Sequence, residues 1–401
     1  MKRKQILIVL FILSCIAIMA SCEKILPPSP NDNELLDGPV EGLTYEQQKQ
    51  FLDGDIAFND EIFTVEKGLG AVFVATSCGS CHAGDGKGHP FSTLIRFTAA
   101  LDSTGNTVLA QGPTQLQNRA IPGFMPETLP KGVPFSKFTP PASTGLGFLE
   151  LVSDADLLAM ADPDDANGDG ISGIPNWNKI PHYVKVRNKA VVKDGKYITR
   201  FGKKGSVYDL LQQTATAYNQ DIGITSLFEP FDTYNGLEID PEVSSKTVND
   251  VVFYLQTLKA PVQRGSDNPE VAAGKSVFLK AGCENCHKQN LKTGYSAIKA
   301  LDNKEFHPYT DLLLHDMGMG LDDGFTEGSA LTSEWRTPPL WGLGLSANSQ
   351  GGGVFLMHDG RAKSVEEAIF LHGGEGAKSK ESYNQLSEKD KKAILKLLDS
   401  L

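Results

Sequence analysis

The sequence predicts a mainly α fold of two similar domains, with long loops and a few short strands. The pentapeptide CGSCH, Cys78 to His82, recurs as CENCH, Cys283 to His287. Each follows an apolar run, KGLGAVFVATS before the first and NPEVAAGKSVFLKAG before the second, which reads as a helix delivering the cysteines. Helical apolar spacing appears again over Val207–Asn219 and in VNDVVFYLQTLKAP, which ends near Pro261. This loose duplication predicts an N-terminal domain over residues 46–262 and a C-terminal domain over 263–401.

The pentapeptides define the chemistry. One helical turn separates the paired sulfurs and sets a histidine beside them, so two thioethers and one imidazole reach a single porphyrin. Cys78, Cys81, Cys283 and Cys286 are therefore expected to hold two c-type haems, with His82 and His287 as axial iron ligands. A four-thiolate zinc site or a redox dithiol would use the same cysteines, but neither calls for a histidine directly after both pairs.

Covalent haem needs an exported chain, and residues 1–21 read as a signal peptide. Lys2, Arg3 and Lys4 precede an apolar run from Ile6 to Ala20, which is short for a bilayer span. Met19-Ala20-Ser21-Cys22 resembles a bacterial lipobox, so the expected product is anchored to a membrane through lipid on Cys22 and faces the periplasm or cell surface. A plain signal peptide followed by a chance cysteine is the alternative. Residues 22–45, rich in Pro, Asp, Asn and Gly, read as a tether. With Cys15 leaving with the signal and Cys22 taking lipid, no cysteine remains for a disulfide. The net charge of −11 argues against nucleic acid as a partner and suits a basic electron carrier or a small neutral substrate.

Along the folded part, Thr44 is a candidate N-cap for a first helix, and Ser143–Met160 has helical spacing. Residues from Ser92 to Gln117 alternate in polarity and suggest strands or a hairpin. His89 follows His82 too closely to reach the far side of a haem easily and reads as a loop histidine; Met125, Met160 and His182 sit in ordinary contexts. Asp165, Asn167 and Asp169 alternate before Gly170 as in a calcium loop, yet the twelfth position is Asn176 in place of a bidentate Glu. An Asx-rich turn fits equally. Near the C-terminus, Ser364-Val365-Glu366-Glu367 reads as a capping box opening a helix that ends at His372. His372 is the expected sixth iron ligand of the second haem, with Met317 as the alternative and His315, Met319, Met357 and His358 also in reach along the chain. Stabilisation of the helix C-terminus would explain His372 without iron.

The phrases QLQNRAIPG, TGLGFLELV, DPDDANGDGISG, QTATAYNQDIGIT, PYTDLLLHDMG, EWRTPPLWGLGL and MHDGRAKSVEEAIFLHGG resemble the bacterial di-haem oxidoreductase family, once labelled thiol oxidoreductases. These are relatives of the di-haem cytochrome c peroxidases and of MauG-type enzymes. The resemblance implies two cytochrome c-like haem domains facing each other. In the peroxidase relatives the EEAI-type helix supplies an axial Met to the electron-transfer haem, a place filled here by His372; a His/His pair with His287 would hold a lower potential than His/Met. It also implies an open first haem reacting with a small oxidant such as peroxide, with an acid and an amide nearby, for which Glu127 and Gln117 are the candidates. Where the family usually has Trp after RFG, this chain has Lys203. The expected function is a di-haem oxidoreductase with an N-terminal reaction site, a C-terminal electron relay and an electron-donor or electron-acceptor protein as partner. A pure electron-transfer cytochrome and a surface protein of iron handling are the alternatives.

Overall fold

The helices grow where caps and apolar spacing agree. Thr44 accepts the Gln47 amide and receives the Gln47 side chain in return, opening the Tyr45–Asp55 helix. Asp209 and Ser244 cap Leu210–Ile222 and Ser245–Thr257; Asn268 with Pro269 starts Pro269–Lys280, and Ser387 starts Glu388–Ser400. This computed structural model describes residues 31–97, 100–101, 107–108 and 114–401. The signal segment, Cys22 and the first part of the tether lie outside the described residues. Among those described, helices reach 13 residues while no strand exceeds four, so the fold is mainly α with much loop.

Residues 31–35 hold one 3₁₀ turn, Asp32–Glu34, closed by Asn31 and Glu34. Leu36–Leu401 is a second, compact unit. In it the Ser245–Thr257 helix packs on Tyr45–Asp55 and on Leu146–Glu150, around Phe51, Phe58, Leu149, Tyr254 and Leu258. A second core joins Pro269–Lys280 to Glu388–Ser400 through Val271, Phe278, Ile394 and Leu397. Gly274 lets those two helices meet backbone to backbone, since a Cβ there would strike the Ala393 carbonyl. The first core also takes Leu291, Phe306, Leu313 and Trp341 from beyond residue 262, and Ile174 bridges to Leu314, so the halves interlock.

Several expectations shift. Ser143–Met160 is two helices, Leu146–Glu150 and Asp154–Met160, because Ser153 caps a new start. The 92–117 segment contributes strands Leu94–Phe97, Ala100–Leu101, Thr107–Val108 and Thr114–Gln115. The apolar run before Cys78 is not a helix: Gly68 is left-handed, Gly70 lies against Gly223, and Val72–Phe73 pairs with Arg119–Ala120. Before Cys283 the helix is present, ending at Lys280.

Candidate haem sites

The two pentapeptides fold alike. The Cys78 carbonyl accepts the amides of Cys81 and His82, and the Cys283 carbonyl accepts those of Cys286 and His287. That single turn brings each histidine round beside its two sulfurs, although the chain arrives extended in one case and helical in the other. The His82 Nδ1 lies 3.0 Å from the Pro141 carbonyl, and the His287 Nδ1 lies 3.0 Å from the Tyr309 carbonyl. A carbonyl can only accept, so Nδ1 carries the proton and Nε2 presents a lone pair, the state a metal-binding imidazole needs. Burial pushes His82 and His287 down to about 4, which keeps both rings neutral at physiological pH.

His372 is built the same way. It follows the Val365–Phe370 helix, and its Nδ1 lies 2.7 Å from the Ala368 carbonyl, leaving Nε2 for a ligand. His287 sits within its electrostatic reach. Ser364 caps the helix by accepting the Glu367 amide, while the Glu367 carboxylate reaches the Lys363 amide, so the reciprocal half of the predicted capping box falls one residue early. Gly376 leaves room for the imidazole, since a Cβ there would lie 3.1 Å from the His372 side chain. His82, His287 and His372 are each partly accessible.

The cysteines are suited to thioether bonds and unsuited to the alternatives. All four are unpaired. Burial raises Cys78 and Cys283 to about 12 and Cys81 to about 11, which suppresses the thiolate that dithiol exchange requires. Among the described residues the one cluster of metal-binding type is Cys286, Asp311 and His315, so four thiolates do not converge.

A family model described as "Di-haem oxidoreductase, putative peroxidase" matches residues 136–401, well over half of the chain. The chain belongs to this family. The match spans the second pentapeptide and His372 but begins after the first, so Cys78–His82 rests on its own geometry. No curated protein matches this di-haem oxidoreductase. Among solved structures it is similar to hydrazine synthase of Kuenenia stuttgartiensis, at 13% identity and a TM-score of 0.39 over 94% of this chain and 98% of that one.

The family implies haem, and the donor set of this di-haem oxidoreductase fits it: two cysteine pairs, each with a neutral imidazole whose Nε2 makes no hydrogen bond among the described residues. Of the other candidates, Met317 stays beside His372, where both side chains border Gly376, and the rest fall elsewhere. Both nitrogens of His315 are taken, Nδ1 by Glu375 at 2.6 Å and Nε2 by Asp311 at 2.9 Å, so its ring is a buried cation and not an iron ligand. Met125 and Met319 are exposed, and His182 is an exposed loop residue. The His89 Nδ1 accepts the Phe91 amide as a loop cap. Met317 and Met357 pack beside Phe138, Phe325 and Trp335. Gln117 and Glu127 clasp each other: the Gln117 amide donates to the Glu127 carboxylate at 2.7 Å, and the Gln117 side chain donates to the Gln220 carbonyl.

In the acidic loop the Asp165, Asn167 and Asp169 side chains accept the amides of Gly170, Asp169 and Ile171, and Lys378 donates to the Asp169 carbonyl. Asn176 is spent on Lys204, Glu327 and Ser329. These bonds build an Asx-rich turn in which Asp165 and Asp169 each use only Oδ1 among the described residues.

Sequence reasoning missed two constellations. Trp335 stacks on His358 with centroids 3.7 Å apart, and the Lys204 ammonium lies 3.9 Å from the Trp335 ring. At the first site, Tyr254 donates to buried Asp85 at 2.7 Å, and burial lifts Asp85 to about 6. No local signal in the sequence marks either, because the partners of each are remote along the chain.

Proposed function

We propose that the chain is a di-haem c-type oxidoreductase of peroxidase-like type, with the N-terminal haem as reaction site and the C-terminal haem as electron relay. The supporting observation is an asymmetry among the histidines. His287 and His372 both point Nδ1 at a backbone carbonyl and keep Nε2 free, whereas at the first site only His82 does so among the described residues. The His89 Nδ1 is taken by the Phe91 amide, and the His358 ring lies flat on Trp335.

A bound c-type haem supplies an iron that cycles between ferric and ferrous states and binds small oxygen ligands wherever a face is open. The chain's own part is to attach the group through Cys78 and Cys81 or Cys283 and Cys286, and to orient His82 and His287 through Pro141 and Tyr309. His372 closes the second site, and its helix is held by Glu375, which ties the segment to Ser172 and His315. The same reading takes an electron-carrier protein and a small oxidant as partners, and lipid on Cys22 as a membrane anchor on the exported side. Calcium at Asp165, Asn167 and Asp169 is not part of it.

The test is His372→Ala in haem-loaded protein. One ferric low-spin signal should convert to high-spin while covalent haem content stays the same. An unchanged low-spin spectrum would give the sixth position to another group, Met317 first among them.

A further inference from the structure

Three cationic side chains converge near the first site without a free counter-charge. Lys203 and Lys87 lie within electrostatic reach of each other, and Arg336 is the third member. Lys203 is also within electrostatic reach of His82 and of His358, and its carbonyl accepts the Arg336 amide at 3.1 Å. Lys87 stands five residues after His82, in the loop held by Ser349 and Gln350, which donate to the Lys87 and Gly88 carbonyls. Among the described residues neither ammonium makes a hydrogen bond or ion pair. Both lysines lie deep among protein atoms yet keep some accessible surface, as His82 does, so they line interior space.

The nearby carboxylates are engaged elsewhere. Asp359, the acid closest in effect to Lys203, binds Arg361 through both oxygens at 2.8 and 3.0 Å. Asp311, which Arg336 feels, is joined to His315. Two desolvated ammonium groups beside a guanidinium repel each other, and burial without a partner costs several kcal/mol per ion, on the order of the usual penalty. An arrangement of this kind is stable when an anion that is not part of the polypeptide sits between the charges.

We propose that Lys203 and Lys87 form the carboxylate-binding end of the first haem's seat, each pairing with one of the two propionate groups of the porphyrin. The assignment rests on the reading of Cys78–His82 as a haem site. It gives Lys203 a positioning and electrostatic role: paired propionates no longer load negative charge onto the iron, and the ferrous state is favoured.

The experiment is a spectroelectrochemical titration of haem-loaded protein, wild type against Lys203→Gln, Lys87→Gln, the double variant and Lys203→Arg. Haem per chain is counted after denaturation, and ferric spin state is read by paramagnetic resonance. The midpoint of the first haem should fall in each Gln variant and fall furthest in the double. It should be restored in Lys203→Arg, with the second midpoint unmoved. An unmoved first midpoint in the double variant would overturn the assignment. So would a change of the first haem from low-spin to high-spin in Lys203→Gln, since Lys203 would then be an iron ligand. A wild-type midpoint that tracks added acetate, with the response lost in the double variant, would also overturn it, because the lysines would then serve free carboxylates. Fewer than two covalent haems in the wild type would sink the haem reading itself, a separate result from any of these.

Discussion

Serine at Cys78 and Cys81 together removes one of two covalently bound haems and leaves the other, and serine at Cys283 and Cys286 does the converse. The mass of the denatured, haem-loaded chain reads this directly, dropping by one haem in each double variant and by two when all four are replaced. The loss should be independent because each cysteine pair sits on its own turn and each histidine is held by its own carbonyl, Pro141 or Tyr309. Folding stability should fall as well, since a group that binds only the native state adds its binding free energy to that state. Both pairs should matter for stability, because Cys78 packs on the core around Phe51, Phe58 and Tyr254 and Cys283 on the core that joins Pro269–Lys280 to Glu388–Ser400. Retention of both haems in either double variant would remove the pentapeptides from the chemistry.

Alanine at His315 should destabilise the folded protein by about 3–5 kcal/mol, the usual cost of breaking a buried ion pair by deleting one partner. The imidazole is 3% exposed and stands between Asp311 and Glu375, so its loss leaves two close carboxylates without the cation that separates them. Burial opposes charge on His315, but Asp311, through charge and hydrogen bond, with help from Cys286 and Glu375, outweighs it and raises the group well above 6.5. A folded value above the unfolded one means that this contribution is complete below about 6.5 and is lost as pH climbs toward the folded value. Glu375 works the other way: its own burial raises it, yet His315 and Ser172 hold it below the ordinary carboxylate value, so its share is lost at acid pH. Denaturant melts of wild type and His315→Ala across neutral to alkaline pH should therefore converge as pH rises. A constant gap would mean that the ring acts by packing and not by charge. Because Glu375 also steadies the segment after His372, the same variant should broaden the spectrum of the second haem.

Much of the second site was legible in the sequence. The Pro269–Lys280 helix has a capping Asn and a proline at its start, and His372 follows a Ser-capped helix before paired glycines, all local signals. The first site was legible only as a pentapeptide. Its apolar lead-in has the composition of a helix, but two close glycine contacts and the β-branched Val72 favour an extended path, and pairing with Arg119–Ala120 decides the matter. The ligand competition around His372 could not be resolved from order along the chain. His315 is eliminated by Glu375, sixty residues away. The acidic loop was ambiguous for a different reason: alternating Asp and Asn serve a cation and a set of turn amides equally well. Only the partner of each oxygen separates the two.

The most direct measurement is the electron paramagnetic resonance spectrum of the oxidised, haem-loaded protein, repeated after half-reduction and with excess peroxide. The account predicts one low-spin signal of bis-histidine type that ignores peroxide and is lost in His372→Ala. It predicts a second signal, high-spin in the oxidised or half-reduced form, that shifts or vanishes with peroxide and is lost when Cys78 and Cys81 are serine. Two low-spin signals indifferent to peroxide in both redox forms would contradict the open first site and leave a protein that only passes electrons.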